Sequence, residues 1–264
     1  MFDQTEFEKN LGTQWLGTQF IYLKETDSTN TYLKKFDASR FTNGTVVLAD
    51  DQTRGRGQHG KTWESAPKNN LTFTMGFNPK HGERLTLLTL SAALALKYTI
   101  QKNSAADISI KWPNDLLCND KKIAGLLTEC IFCGEKVNRV LLGIGLNVHQ
   151  KKFSAELESK AISIAGICGS VPSREKILAE FLQQMEYMYK RWHKYDPKLH
   201  IEINRNLKGY GKWVRLEING RIIEEKVKFC GVNEKGYLVV LKEDLEARIF
   251  THEQVRIIAN NSGI

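Results

Sequence analysis

The stretch Gln52-Thr53-Arg54-Gly55-Arg56-Gly57-Gln58-His59-Gly60-Lys61-Thr62-Trp63 admits three readings, each with its own fold. Gly55, Gly57 and Gly60 match the dinucleotide fingerprint GxGxxG, and with Lys61-Thr62 they also match the phosphate loop GxxxxGK[ST]. Both motifs need a strand before the loop and a helix directly after it, because the amides of the helix N-terminus hold the phosphate. Val46-Val47-Leu48-Ala49 supplies the strand. Trp63-Glu64-Ser65-Ala66-Pro67-Lys68-Asn69-Asn70 cannot supply the helix, having a proline, paired asparagines and no apolar period. No acidic residue ends a strand about twenty positions on, where a ribose would be bound. The later apolar strands end in Trp112 and Asn147, not in an aspartate that could hold magnesium. The third reading keeps the physics and changes the ligand. Glycines let backbone N–H groups approach an anion, and Arg54, Arg56 and Lys61 surround that nest with positive charge. Such a loop can hold a carboxylate beside a phosphate, as their joining into an acyl phosphate requires.

Outward from the loop, the chain alternates short helices and strands. A helix is expected in ETDSTNTYLKKF, capped by Asp27 or Ser28. Residues 70–77 alternate as a strand, with Leu71, Phe73 and Met75 or Phe77 on one face. Residues 85–100 are apolar on nearly every side and predict a buried helix. ISIKW, DLLC, KIAGLLTECIF and VNRVLLGIGLNV, between 108 and 148, predict a meander of hairpins turning at Asn119-Asp120 and Gly134-Glu135. From Ser173 to about Tyr195, Ile177, Leu178, Phe181, Leu182, Met185, Met188, Tyr189 and Trp192 fall at helical spacing and predict core packing. After Lys208 the texture changes to short strands with an Asn219-Gly220 turn, predicting a small β-barrel or sandwich on an α+β domain. The expected domains are residues 1–208 and 209–264.

Composition sets the class. Hydrophobic residues are 41% and charged residues 26% of the 264, a globular balance that excludes disordered and collagen-like chains. No window approaches the ~18–20 apolar residues of a membrane span, and MFDQTEFEKN is not a secretory signal. The expectation is therefore a cytoplasmic protein. A net charge of +8 favours anionic partners without choosing among them. The five cysteines are odd in number and scattered. Cys130 and Cys133 make a lone CxxC with no second pair or nearby histidine to complete a zinc site, so they read as reduced packing residues.

Two further constellations stand out. Lys111-Trp112-Pro113-Asn114-Asp115 ends a strand at a proline-forced bend, and a hairpin at Asn119-Asp120 would return Lys122 beside it. Gly143-Ile144-Gly145-Leu146-Asn147 ends another strand with an amide able to read a base edge. On pattern alone, the alternative for Lys122 is a surface lysine like Lys121, and Asn147 reads equally as a buried structural amide.

Taken in order and spacing, DSTN (27–30), QTRGRGQHGKTW (52–63), KWPND (111–115), KKIAG (121–125) and GIGLN (143–147) resemble the biotin–protein ligases. The resemblance is strong from about residue 20 to 150. It implies a class II aminoacyl-tRNA synthetase/biotin ligase-like mixed sheet flanked by helices, followed by a C-terminal SH3-like β-barrel. Carried over position by position, Ser28, Thr29, Asn30 and Gln52 would line the end of the pocket that holds the ureido ring of biotin. Gly55, Arg56, Gly57 and Gln58 would form the loop over biotin and the adenylate. Lys122, with Gly125 beside it, matches the lysine that contacts the biotin carboxylate and the α-phosphate. Lys111, Asn114 and Asn147 would face ATP, with Trp63 packing near the adenine. Arg56 and Lys122 are the expected catalytic pair; the ligands of Mg2+, which arrives with ATP, are not assigned. Gln58 and Lys61 stand where many members have arginine, and Thr251-His252-Glu253-Gln254-Val255 is a loose form of the usual small-Gly-Glu-Val pattern.

The implied reaction is ATP-dependent formation of biotinyl-5′-AMP, then transfer of biotin to a lysine of a biotin carboxyl carrier protein. His59 reads as a solvent-facing loop residue rather than a base. A lipoate or octanoate ligase would share the scaffold. A biotin-responsive DNA-binding repressor would need a helix-turn-helix ahead of DSTN, where only about twenty residues precede the strand leading into it. No sequence-specific DNA binding is expected, and a homodimer is compatible with the sequence.

Overall fold

A computed structural model describes residues 1–79, 82–251 and 255–258. The first half of the chain forms α1 (Gln4–Asn10), β1 (Phe20–Thr26), α2 (Thr29–Lys35), β2 (Thr45–Gln52), β3 (Leu71–Phe77) and α3 (Leu85–Lys102). The meander follows as β4 (Ile108–Lys111), β5 (Asp115–Cys118), β6 (Lys121–Cys133) and β7 (Lys136–Leu146). Then come α4 (Arg174–His193), α5 (Leu199–Asn206), β8 (Trp213–Ile218), β9 (Arg221–Val232), β10 (Leu238–Leu241), β11 (Ala247–Phe250) and β12 (Val255–Ile258). Seven strands make one mixed sheet in the order β1-β2-β3-β7-β6-β5-β4, in which only β1 and β2 are parallel neighbours. The other five form an antiparallel sheet in the order β11-β10-β9-β8-β12, consistent with the expected SH3-like unit.

The alternation of side chains in the central strands decides what each face of the large sheet does. In β3, Leu71, Phe73, Met75 and Phe77 enter the main core with Leu142, Ile144 and Leu146 of β7 and with α3 and α4. α3 buries residues around most of its circumference, as its sequence requires. The alternate residues face the other way. Cross-strand register aligns Thr74 with Gly143, Gly143 with Leu127, Gly145 with Gly125 and Leu141 with Glu129. α2 lies over this second face, where Leu33 packs with Val47, Leu141 and Phe41. Beyond α2 the face carries mostly glycines and polar side chains, with Leu127 among them.

Three local expectations need correction. Ser28 occupies the N-cap position of α2, yet its side chain makes no capping bond. Asp27 Oδ1 instead accepts from the Ser28 amide, and Gln52 Oε1 accepts from the Thr29 amide at 2.8 Å. The cap is therefore supplied from the end of β2, a long-range partner that local sequence does not reveal. α1 and α5 are also unanticipated. α1 buries only Phe7 within its span, too little for a periodic signal, and is capped by the Asp3 carboxylate. The predicted turns do occur: Asn119, Asp120, Asn219 and Gly220 all have positive φ, as tight hairpins need.

The small sheet is fastened to the large one by buried polar contacts. The Trp112 indole donates to the Gly236 carbonyl at 3.2 Å, and Arg84 donates to Glu234 O at 2.9 Å. Asn204 of α5 exchanges two hydrogen bonds with the backbone of Val232. Residues 252–254 of the loose barrel motif lie outside the described residues.

A buried ion pair ties β2 to the start of α4. Arg174 Nη1 lies 2.8 Å from Asp50 Oδ1, and both side chains are almost fully enclosed. The Tyr22 hydroxyl donates to the other Asp50 oxygen at 2.6 Å. Burial pushes the Asp50 carboxyl up, but the Tyr22 bond and the Arg174 charge outweigh it and hold it below the ordinary value. Arg174→Met leaves a buried carboxylate without its cation and is expected to cost about 3–5 kcal/mol in urea denaturation at neutral pH. The contribution of Asp50 is present above its unfolded pKa of about 3.9 and is lost as pH falls through the lower folded value. The stability gap between wild type and Asp50→Asn should therefore narrow below about pH 4; a gap constant with pH would contradict this.

Candidate functional site

Two contiguous cavities open on the glycine-bearing face. The inner one, about 50 Å³, lies between the start of α2, Gln52 and strands β6 and β7. The outer one, about 370 Å³, lies over the Lys111–Asp115 bend and beside β6. Gly57, Gln58, Trp63, Asn114 and Lys122 line both and so mark their junction.

One end of the inner cavity is polar, while Phe73, Leu126, Leu127 and Ile144 supply apolar lining. Ser28, Thr29 and Asn30 are all buried. Thr29 Oγ1 donates to Gln52 Oε1 at 3.1 Å, and Thr74 Oγ1 lies 2.8 Å from Thr29 Oγ1 and 2.6 Å from Asn30 Oδ1. These contacts fix a row of hydroxyls and amides without filling the space. A Cβ on Gly143 would overlap the Asn30 amide, and one on Gly145 would overlap the Trp63 indole. The glycines of GIGLN are thus needed for close approach by other side chains, a role that a strand-end amide motif does not reveal.

Lys122 reaches the junction because β6 bulges. Register against β5 slips between Leu116 and Leu117, so that Leu117 pairs with Lys122 while Leu116 pairs with Ala124. The extra residue turns the side chain of Lys122. Its Nζ lies 2.7 Å from Asp115 Oδ1 and 5.5 Å from the centre of the Trp63 ring. The expected return of Lys122 beside the 111–115 bend is therefore found. Asp115, quoted within KWPND but given no role from sequence, is its partner. Lys121 points elsewhere and meets Glu158 O.

The 53–63 segment is a small hairpin, with Arg56 bridged to Thr62. This alters one expectation: the Gly57 amide is spent on Lys61 O at 2.7 Å and is not a free donor. Gly55 is required because the Trp63 carbonyl packs against its Cα. Arg54 is exposed and lines neither cavity, whereas Arg56 lines the inner one and pairs with Glu129 at 3.1 Å. Gln58 lines both cavities, and the exposed His59 lines the outer one.

The outer cavity is cationic. Lys61, Lys111, Lys122, Lys160 and Arg256 face it, against the carboxylates of Glu64 and Asp115. Lys160 and Arg256 come from distant segments and carry no local signal in the sequence. Asn114 Nδ2 donates to Leu126 O at 2.7 Å, stitching the bend to β6. Asn147 Nδ2 donates to Ile162 O at 3.1 Å, while its buried Oδ1 finds no partner among the described residues. Trp63 Nε1 is likewise buried without a partner. Unpaired buried polar atoms are costly, and these two belong to residues that line the cavities. Among the described residues, no three His, Cys, Asp or Glu side chains converge as a metal site, and Cys130 and Cys133 carry free thiols. No helix is long and apolar enough to cross a membrane among those residues.

Comparison with known proteins places the chain among relatives. The profile of the biotin/lipoate A/B protein ligase family matches residues 22–147. The biotin--[acetyl-CoA-carboxylase] ligase of Mycobacterium tuberculosis is 30% identical over 84% of this chain and 88% of its own length. The bifunctional ligase/repressor BirA of Bacillus subtilis is 29% identical over 90% of this chain and 74% of its own. A crystallised biotin protein ligase from Aquifex aeolicus, in complex with biotin and ATP, superposes with a TM-score of 0.79 at 29% identity, covering 91% of this chain and all of that one.

The close approach at Gly145 is testable by stability. Gly145→Ala is expected to cost about 1–3 kcal/mol by overpacking in the wild-type background. The cost should shrink in Trp63→Ala, where the ring is gone. Equal costs in both backgrounds, measured by chemical denaturation, would show that the indole does not rest on Gly145.

Proposed function

Because the chain belongs to the biotin–protein ligase family, we propose that it activates biotin with ATP as biotinyl-5′-AMP and passes the biotinyl group to a lysine of a biotin carboxyl carrier protein. The observation that carries this reading is the Lys122 ammonium at the junction of a small cavity, polar at one end and otherwise apolar, and a larger cationic one. Biotin occupies the inner cavity, with its ureido ring against Ser28, Thr29, Asn30 and Gln52. ATP occupies the outer one, with its phosphates among the lysines and its adenine near Asn114, Asn147 and Trp63. The unpaired Asn147 Oδ1 supplies an acceptor for an exocyclic amine. At about 50 Å³ the inner cavity has room for only a few waters. Accommodating biotin there requires the lining of the cavity to open.

In the first step a biotin carboxylate oxygen attacks the α-phosphorus and pyrophosphate leaves. The carboxylate is ionised at neutral pH, so no general base is needed. The difficulty is to bring two anions together and to stabilise charge gathering on the phosphoryl oxygens. Lys122 and Arg56 answer that need electrostatically, and the adjoining cavities supply proximity. Asp115 holds the Lys122 ammonium until a reactant oxygen takes over. In the second step the neutral amine of the acceptor lysine attacks the mixed anhydride and AMP departs. Mg2+ typically binds through substrate phosphates and one or two carboxylates; Asp115 and Glu64, the carboxylates that line the basic outer cavity, would be the groups beside an ion delivered with ATP.

The proposal includes a catalytic unit over 1–208 and an SH3-like unit over 209–264, a cytoplasmic setting that suits the free thiols, and no sequence-specific DNA binding. A homodimer fits the proposal equally well as a monomer.

Isotopic pyrophosphate exchange is expected with biotin and not with lipoate; the reverse preference would assign the chain to lipoate chemistry. Lys122→Ala and Arg56→Ala should each slow exchange by about 10²–10³-fold with the fold intact by circular dichroism. Wild-type rates in both variants would remove them from the reaction. Labelled biotin should reach a carrier domain only with ATP and only while its acceptor lysine is present.

A further inference from the structure

Glu129 stands in an unexpected place, a carboxylate on the glycine-bearing face of β6 that reaches, through Arg56, a cavity read as binding an acid and a phosphate. Unpaired, it would repel both reactants. It is paired instead. Its Oε1 lies 3.1 Å from Arg56 Nη2, and its Oε2 lies 3.4 Å from Arg56 Nη1. The same Oε2 accepts from Asn30 Nδ2 at 2.8 Å. Asn30 is buried and in turn accepts from Thr74 Oγ1 at 2.6 Å on the central strand β3. The chain Thr74–Asn30–Glu129–Arg56 thus runs from the core to the hairpin.

We propose that Glu129 is a positioning residue, which holds the guanidinium of Arg56 over the inner cavity for the adenylation step. Arg56 needs such a holder. It lies between Gly55 and Gly57, its side chain is 48% exposed, and Glu129 is its only side-chain partner among the described residues. Fork-to-fork pairing with a carboxylate fixes the plane of a guanidinium as well as its place. A guanidinium has five N–H donors, so two can stay on Glu129 while others meet reactant oxygens. Asn30 fixes Glu129 from behind, and Gly143 leaves the room that the Asn30 amide occupies.

The inference rests on the adenylation reading of Arg56 and is tested by a double-mutant cycle in biotin-dependent pyrophosphate exchange. Glu129→Gln keeps the shape and the bond from Asn30 while removing the charge. It should lower kcat by about tenfold or more, the scale of loss when a reacting group is misplaced, with the KM for ATP unchanged. In an Arg56→Ala background the same change should alter the rate by less than about twofold, because the residue through which it acts is gone. Unchanged exchange in Glu129→Gln, or an equal loss in both backgrounds, would overturn the proposal. If Glu129→Gln does not fold, Glu129→Asp, which keeps the charge and retracts it, should show the same dependence on Arg56. Absence of exchange in the wild-type chain would instead remove the adenylation reading itself.

Discussion

The site depends on one constraint, the bareness of a single sheet face. A β-strand offers alternate residues to opposite sides, and β3, β6 and β7 use that rule to separate two tasks. One side carries Phe73, Met75, Leu142 and Ile144 into the core beneath α3 and α4. The other carries Thr74, Gly125, Gly143, Gly145 and Glu129, which leave depth where side chains would otherwise fill it. A one-residue slip in any of these strands would exchange the two sets and lose both core and cavity. The Lys122 bulge is the local exception, and it sits where a side chain must be turned toward the junction.

Much of this was legible in the sequence. The strands of the meander and the long helices announced themselves by period, and the turns by Asn-Asp and Asn-Gly pairs. The return of Lys122 to the KWPND bend followed from the turn between them. What stayed hidden is what distant segments contribute. Gln52 caps α2 from another strand, Lys160 and Arg256 reach the outer cavity from far along the chain, and Glu129 looks like any charged residue in a strand. Short α1 and α5 escaped because they owe their helicity to packing and to one cap more than to pattern.

The glycine loop shows how a literal motif misleads. Its spacing satisfies two phosphate-binding signatures, but those signatures place glycines for a helix N-terminus that this chain lacks. Here Gly55 admits a carbonyl and Gly57 closes a hairpin. The side chains of Arg56 and Gln58 line the inner cavity instead, and Gln58 is neutral, which leaves Arg56 as the hairpin's one cation there.

The Trp112 indole, bonded to Gly236, sits directly before the bend at Pro113. Gly236 itself rests on the backbone at the start of α3, so closely that a methyl group would not fit. Bend, helix and terminal sheet therefore meet at one joint. A change that displaces Trp112 or adds a side chain at position 236 bears on the 111–115 bend as well as on the small sheet, so the shape of the outer cavity is tied to the packing of the two halves of the protein.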